Sequence, residues 1–140
     1  VAAEATSTGM PADYQITVAE AGLILTRLTA AYKGTLSNSF VADLDKDDAL
    51  DVVVTFSSAN GHDTGVHLYR WTGQLLEPRK VGELSVSQAV GYQGGDEFAV
   101  TNGELVRIFQ LYEQLEGEWQ PTAGQRRLRY SFEGSNWQDE

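Results

Sequence analysis

Apolar positions along this chain fall in short runs, and where they alternate they do so with the two-residue period of a strand. In residues 50–56 (LDVVVTF), Val52, Val54 and Phe56 alternate with Val53 and Thr55, and nearly every position is apolar. That pattern predicts a mostly buried strand. In residues 65–71 (GVHLYRW), Val66 and Leu68 alternate with His67, Tyr69 and Trp71, and the run stops at Thr72-Gly73.

The plainest hairpin is residues 97–109 (EFAVTNGELVRIF). Asn102-Gly103 supplies two residues that accept positive φ, as a two-residue type I′ turn requires. Leu128, Tyr130 and Phe132 alternate with Arg127, Arg129 and Ser131, which predicts a strand with a basic outer face. Weaker strand patterns occupy residues 14–18, 23–28 and 40–42, and residues 18–32 are the one stretch where a helix competes. Many short strands joined by glycine-containing turns predict an all-β fold: an antiparallel β-sandwich or barrel of about eight strands. No internal repeat is long enough for a propeller. One domain over residues 13–140 is expected, preceded by a flexible segment at residues 1–12.

Composition narrows the class. At 140 residues with 14 aromatic side chains (3 Trp, 6 Tyr and 5 Phe), the chain can build one substantial core. It has no cysteine, which excludes disulfides, thiolate metal sites and a cysteine nucleophile. No apolar run approaches the ~18 residues of a membrane helix, so no membrane association is expected. The chain starts at Val1 on a small, polar stretch (VAAEATSTGMP), the expected remnant of a removed signal peptide, which predicts an exported protein. Ten basic against twenty acidic residues give a net charge of −10, which disfavours nucleic acid and favours basic partners.

The densest chemical signal is Asp43-Leu-Asp45-Lys-Asp47-Asp-Ala-Leu-Asp51. Carboxylates at loop positions one, three, five and nine suit a hard cation such as Ca²⁺, with the Ala49 carbonyl at position seven. An EF-hand is excluded, because its glycine position holds Asp48 and its final glutamate position holds Val54. A cation held by Asp43, Asp45, Asp47 and Asp51 is one expectation. An acidic turn satisfied by local hydrogen bonds is the other.

No catalytic motif is present. His62 and His67 are the two histidines, and neither belongs to a metal-protease helix; nucleophile elbow, P-loop and dinucleotide fingerprint are all missing. The glycine-rich 91–95 stretch (GYQGG) carries no lysine and reads as a turn. No catalytic residue is assigned, and a binding protein is expected rather than an enzyme. Between the two clearest strands lies a polar loop, Ser57-Ser-Ala-Asn-Gly-His-Asp-Thr-Gly65, whose Ser58, Asn60, Gly61, His62, Asp63 and Thr64 are the candidate partner-binding residues.

Three stretches together resemble the periplasmic inhibitors of invertebrate-type (i-type) lysozyme. They are residues 40–54 (FVADLDKDDALDVVV), 91–112 (GYQGGDEFAVTNGELVRIFQLY) and 121–134 (PTAGQRRLRYSFEG), with residues 95–112 the most specific part. The resemblance spans residues 40–134 and does not reach the first 35. It implies an antiparallel β-sandwich or barrel, a periplasmic location, often a homodimer, and inhibition by a loop inserted into the lysozyme active-site cleft. The family's loop carries a Ser-Gly-x-Tyr element; here Asn60 stands at the serine, Gly61 matches the glycine and Asp63 stands at the tyrosine. The family's upstream Gly-Ser-Tyr segment has no counterpart in residues 19–39. Lysozymes are often basic, so the negative charge would assist encounter. The alternative is a periplasmic module for another protein or a glycan on the same scaffold, with Trp71, Trp119 or Trp137 as stacking surfaces if exposed.

Overall fold

The structure is a computed structural model that describes residues 1–8, 13–32, 34–58 and 63–140. The described residues form eleven strands and no helix. In chain order these are β1 (Ala2–Ser7), β2 (Asp13–Glu20), β3 (Leu23–Ala31), β4 (Thr35–Ala42), β5 (Asp51–Ser57), β6 (Thr64–Trp71), β7 (Leu76–Arg79), β8 (Glu97–Thr101), β9 (Glu104–Leu115), β10 (Glu118–Ser131) and β11 (Asn136–Asp139). They build three antiparallel sheets, ordered β1-β2-β3, β4-β5-β6-β7 and β11-β10-β9-β8.

Alternation along β5 and β6 explains how the sheets stack. Val52, Val54, Tyr69 and Trp71 point to one side and pack with Tyr14, Ile16 and Val18 of β2. Val53 and Leu68 point to the other and pack with Leu105, Phe109, Leu128, Tyr130 and Trp137. The β4–β7 sheet is therefore the middle layer of a sandwich with two cores. Buried on both faces, β5 reads as an unbroken VVV run, the pattern of any strand without a solvent side. Val52, Val53 and Val54 are all 0 % exposed. Burying such side chains contributes about 1.5–3 kcal/mol each.

The all-β sandwich expected from the pattern is what forms, with eleven strands in place of about eight. The additions, β1, β7 and β11, are edge strands of four to six residues. Residues 2–7, expected as part of a flexible leader, are instead paired along β2 from Ala2↔Ala19 to Ser7↔Tyr14. Ala3 and Ala5 lie against the first core while backbone bonds hold the rest, so the strand needs no large apolar side chain. Residues 18–32 are the β2–β3 hairpin and not a helix. A register shift between Val18 and Ala19 and a positive-φ turn at Ala21-Gly22 (φ 51° and 80°) break the period there.

The Asn102-Gly103 turn joins β8 to β9, with φ of 53° and 75° as a type I′ turn needs. On β10, Leu128 and Tyr130 face the second core, and the outward Arg127 and Arg129 pair with Glu140 and Glu104. Trp71 and Trp137 are buried (5 % and 3 % exposed), which removes both from the candidate sugar-stacking surfaces; Trp119 stays half exposed.

Candidate functional site

The polar loop predicted between the two clearest strands connects β5 to β6, the inner strands of the middle sheet. Ladder pairing ends at Ser57↔Thr64. One further rung closes the loop: the Ser58 amide donates to the Asp63 carbonyl at 2.6 Å, and the Asp63 amide donates to Ser58 Oγ at 3.1 Å. Of the candidate contact residues, Ser58, Asp63 and Thr64 thus sit at the neck. Asn60, Gly61 and His62 lie outside the described residues.

Thr64 is tied to the third sheet. Its hydroxyl donates to Asp96 Oδ1 at 2.8 Å, and the Asp96 side chain is 0 % exposed. Two more donors converge on that carboxylate, the Tyr92 hydroxyl on Oδ1 and Arg107 Nε on Oδ2. The Arg107 guanidinium in turn lies among four rings, 5.4–5.9 Å from the centroids of Tyr92, Phe98, Phe109 and Trp137. A buried carboxylate needs such compensation, since leaving one unpaired costs several kcal/mol. Burial, and then the Asp96 carboxylate beside it, raise the Tyr92 phenol above its usual range.

The GYQGG turn makes this convergence possible. Gly91, Gly94 and Gly95 all have positive φ (78°, 80° and 71°), so the backbone doubles back and delivers Tyr92 and Asp96 to one point. Clefts open on both sides of the neck. One of about 430 Å³ is lined by Asn38, Phe56, Ser57, Thr64, Glu97 and Phe98 among others, and one of about 300 Å³ by Asp63, Thr64, Tyr92, Gln93 and Gly94. Gly65, the next residue, lies under the Phe56 ring, where any Cβ would collide with it.

His67 lies on β6 one turn of the pleat from the neck. Its Nδ1 and the Tyr69 hydroxyl flank the Tyr14 hydroxyl at 2.7 and 2.6 Å, a polar bridge within the first core. Burial lowers the His67 pKa and so favours the neutral imidazole in this bridge. Burial and the Tyr69 bond raise the Tyr14 phenol far above its ordinary value. His67 is occupied with structure.

The acidic loop connects β4 to β5 at the other end of the middle sheet, one strand length or roughly 20 Å from the neck. One carboxylate oxygen from each of Asp43, Asp45 and Asp51 lies within 4.8 Å of the others. Asp47, expected to join them, does not. Its Oδ1 accepts the Ala49 amide at 2.9 Å and its Oδ2 pairs with Arg70 at 2.6 Å, while its carboxyl still lies beside that of Asp45. Asp43 accepts the Asp47 and Asp48 amides at 3.0 and 2.9 Å, and Asp45 pairs with Arg79 at 3.0 Å. Asp48, at the glycine position, adopts φ 65°, and Lys46 adopts 62°.

Burial raises the Asp51 carboxyl to about 6, against an opposing bond from the Leu44 amide. Burial and the neighbouring Asp47 raise Asp45, with Arg79 opposing, whereas the Ala49 amide holds Asp47 down.

Sequence reasoning singled out the neck and the acidic loop but not Tyr92, Asp96 and Arg107 as a unit. The partial signal lay in the 95–112 block, where Asp96 and Arg107 stand eleven positions apart on either side of the Asn102-Gly103 turn. No protein-family model, curated protein or solved structure matches the chain.

Proposed function

We propose that this protein is a periplasmic binding protein that inhibits lysozyme, i-type in the first place, by presenting the β5–β6 loop to the enzyme's active-site cleft. The observation that carries the reading is the mounting of that loop. Its neck is closed by two hydrogen bonds and clamped through Thr64 onto the buried Asp96–Arg107 pair. Asp96 and Arg107 belong to the block that most resembles the inhibitor family, so the residues carrying the resemblance support the loop that would carry the activity. A loop fixed at its neck loses less entropy on binding than one free at its base, which favours a cleft-plugging inhibitor.

The contacts would come from Ser58, Asn60, Gly61, His62, Asp63 and Thr64. Hydrogen bonding to the acid and base that flank the sugar, together with steric blockage, would stop turnover without any chemistry on this chain. The −10 charge would speed encounter with a basic enzyme. The test is lysis of bacterial cell walls by i-type, chicken-type and goose-type lysozymes with increasing amounts of this protein. Inhibition of the i-type enzyme that is lost when residues 59–62 are replaced by a glycine-serine linker is expected. Unchanged lytic rates for every type at large molar excess overturn the proposal.

A further inference from the structure

The charge of the β4–β5 loop is only half answered by protein. Arg70 and Arg79 pair with Asp47 and Asp45, and Asp43 and Asp51 have no basic partner among the described residues. Asp51 is the telling member. It is 0 % exposed; its carboxyl takes the Leu44 amide on Oδ2 at 2.8 Å and lies near the Asp45 amide, yet Oδ1 is sealed from solvent without a well-formed hydrogen bond. Asp45 Oδ1 is sealed in the same way. Buried carboxylate oxygens are almost always satisfied, and an orphan among like charges calls for a positive group that no described residue places against it.

The geometry points to a Ca²⁺ site formed by Asp43, Asp45 and Asp51 at the head of the β4–β5 hairpin, far from the inhibitory loop and independent of it. Oxygens within 4.8 Å of one another need only a small inward side-chain adjustment to meet a shared Ca²⁺ at its usual ligand distances. A divalent ion would satisfy both orphan oxygens and offset the charges of Asp43 and Asp51, which no arginine pairs. Asp43 spends one lone pair of each oxygen on loop amides and keeps the others for a ligand. All-carboxylate donors select a hard cation. Mg²⁺ fits less well, because it demands near-ideal octahedral geometry and holds its waters, whereas Ca²⁺ accepts irregular carboxylate sets.

The site's neighbours say what the ion would do. Arg70 and Arg79 belong to β6 and β7, and Lys46 reaches the Gly103 carbonyl of the β8–β9 turn at 3.5 Å. The loop therefore touches two sheets, and filling it would fasten the middle layer to the third. With Asp45 shared with Arg79 and both Asp43 oxygens shared with loop amides, the affinity belongs in the range of extracellular modules, about 10⁻⁴–10⁻³ M.

The test is thermal melting and isothermal titration of metal-stripped protein with CaCl₂, with MgCl₂ as the control at equal concentration. A saturable rise in midpoint on the order of 5 °C at about 10 mM Ca²⁺ is expected, with one site per chain and a much smaller Mg²⁺ effect. Asp45→Asn should abolish the shift. Asp51→Asn should abolish it and also raise the midpoint of the metal-free protein, since it removes a buried unpaired charge. Absence of a Ca²⁺ shift and of binding heat in the unmodified protein overturns the site, as does an equal response to Mg²⁺. A shift that survives in Asp45→Asn overturns its placement.

Discussion

Replacing Arg107 by Met is the sharpest probe of the buried cluster. Met keeps much of the bulk inside the nest of Tyr92, Phe98, Phe109 and Trp137, but it removes the charge and the Nε donor to Asp96. Asp96, with a side chain 0 % exposed, would keep only the Thr64 and Tyr92 hydroxyls. Breaking one side of a buried ion pair costs about 3–5 kcal/mol. Set against a total stability of about 5–15 kcal/mol for a domain, that is a large share. The midpoint should fall by roughly 10–20 °C. Asp96→Leu alone should cost a similar amount by stranding the guanidinium. The double variant Asp96→Leu/Arg107→Met leaves no buried charge, only two hydroxyls without an acceptor, for a loss of about 2 kcal/mol. Urea unfolding of the four proteins gives the coupling directly. A coupling above about 3 kcal/mol is expected, and additivity to within about 0.5 kcal/mol would refute the account of the cluster.

Two further outcomes follow from the geometry. His67 has a folded-state pKa lowered by burial, so its contribution is fully present above its unfolded value of about 6.5 and is lost as pH falls through the folded value. His67→Gln should therefore flatten the acid side of the stability curve relative to the unmodified protein, and parallel curves in urea titrations across that range would contradict the assignment. Gly103→Ala places a Cβ at φ 75° in the β8–β9 turn, which should cost about 1–2 kcal/mol in urea unfolding; a neutral effect would mean that the turn can change type without penalty.

What could be read in the sequence was set by how many faces of a strand are covered. β5 and β6 announced themselves because two cores bury them, and the β8–β9 hairpin because Asn102-Gly103 has one good conformation. β1 was hidden, since Ala, Thr and Ser side chains carry almost no apolar signal and its pairing is a backbone matter. β7 and β11 are four residues each, too short for alternation to show. In the acidic loop, the spacing grouped Asp43, Asp45 and Asp51, which do lie near one another, but could not foresee Arg70 pairing with Asp47, because that arginine arrives from a neighbouring strand. Tyr92, Asp96 and Arg107 went unremarked as a unit for the same reason: their meeting depends on three positive-φ glycines reversing the chain.

Because Val53 points into one core and Val52 and Val54 into the other, neither outer sheet can detach without wetting the strand they share. The amides of β5 should then exchange with solvent deuterium only when the whole domain opens, marking them as its slowest protons. The loops at the two ends of that strand therefore both spring from backbone that is covered on each face.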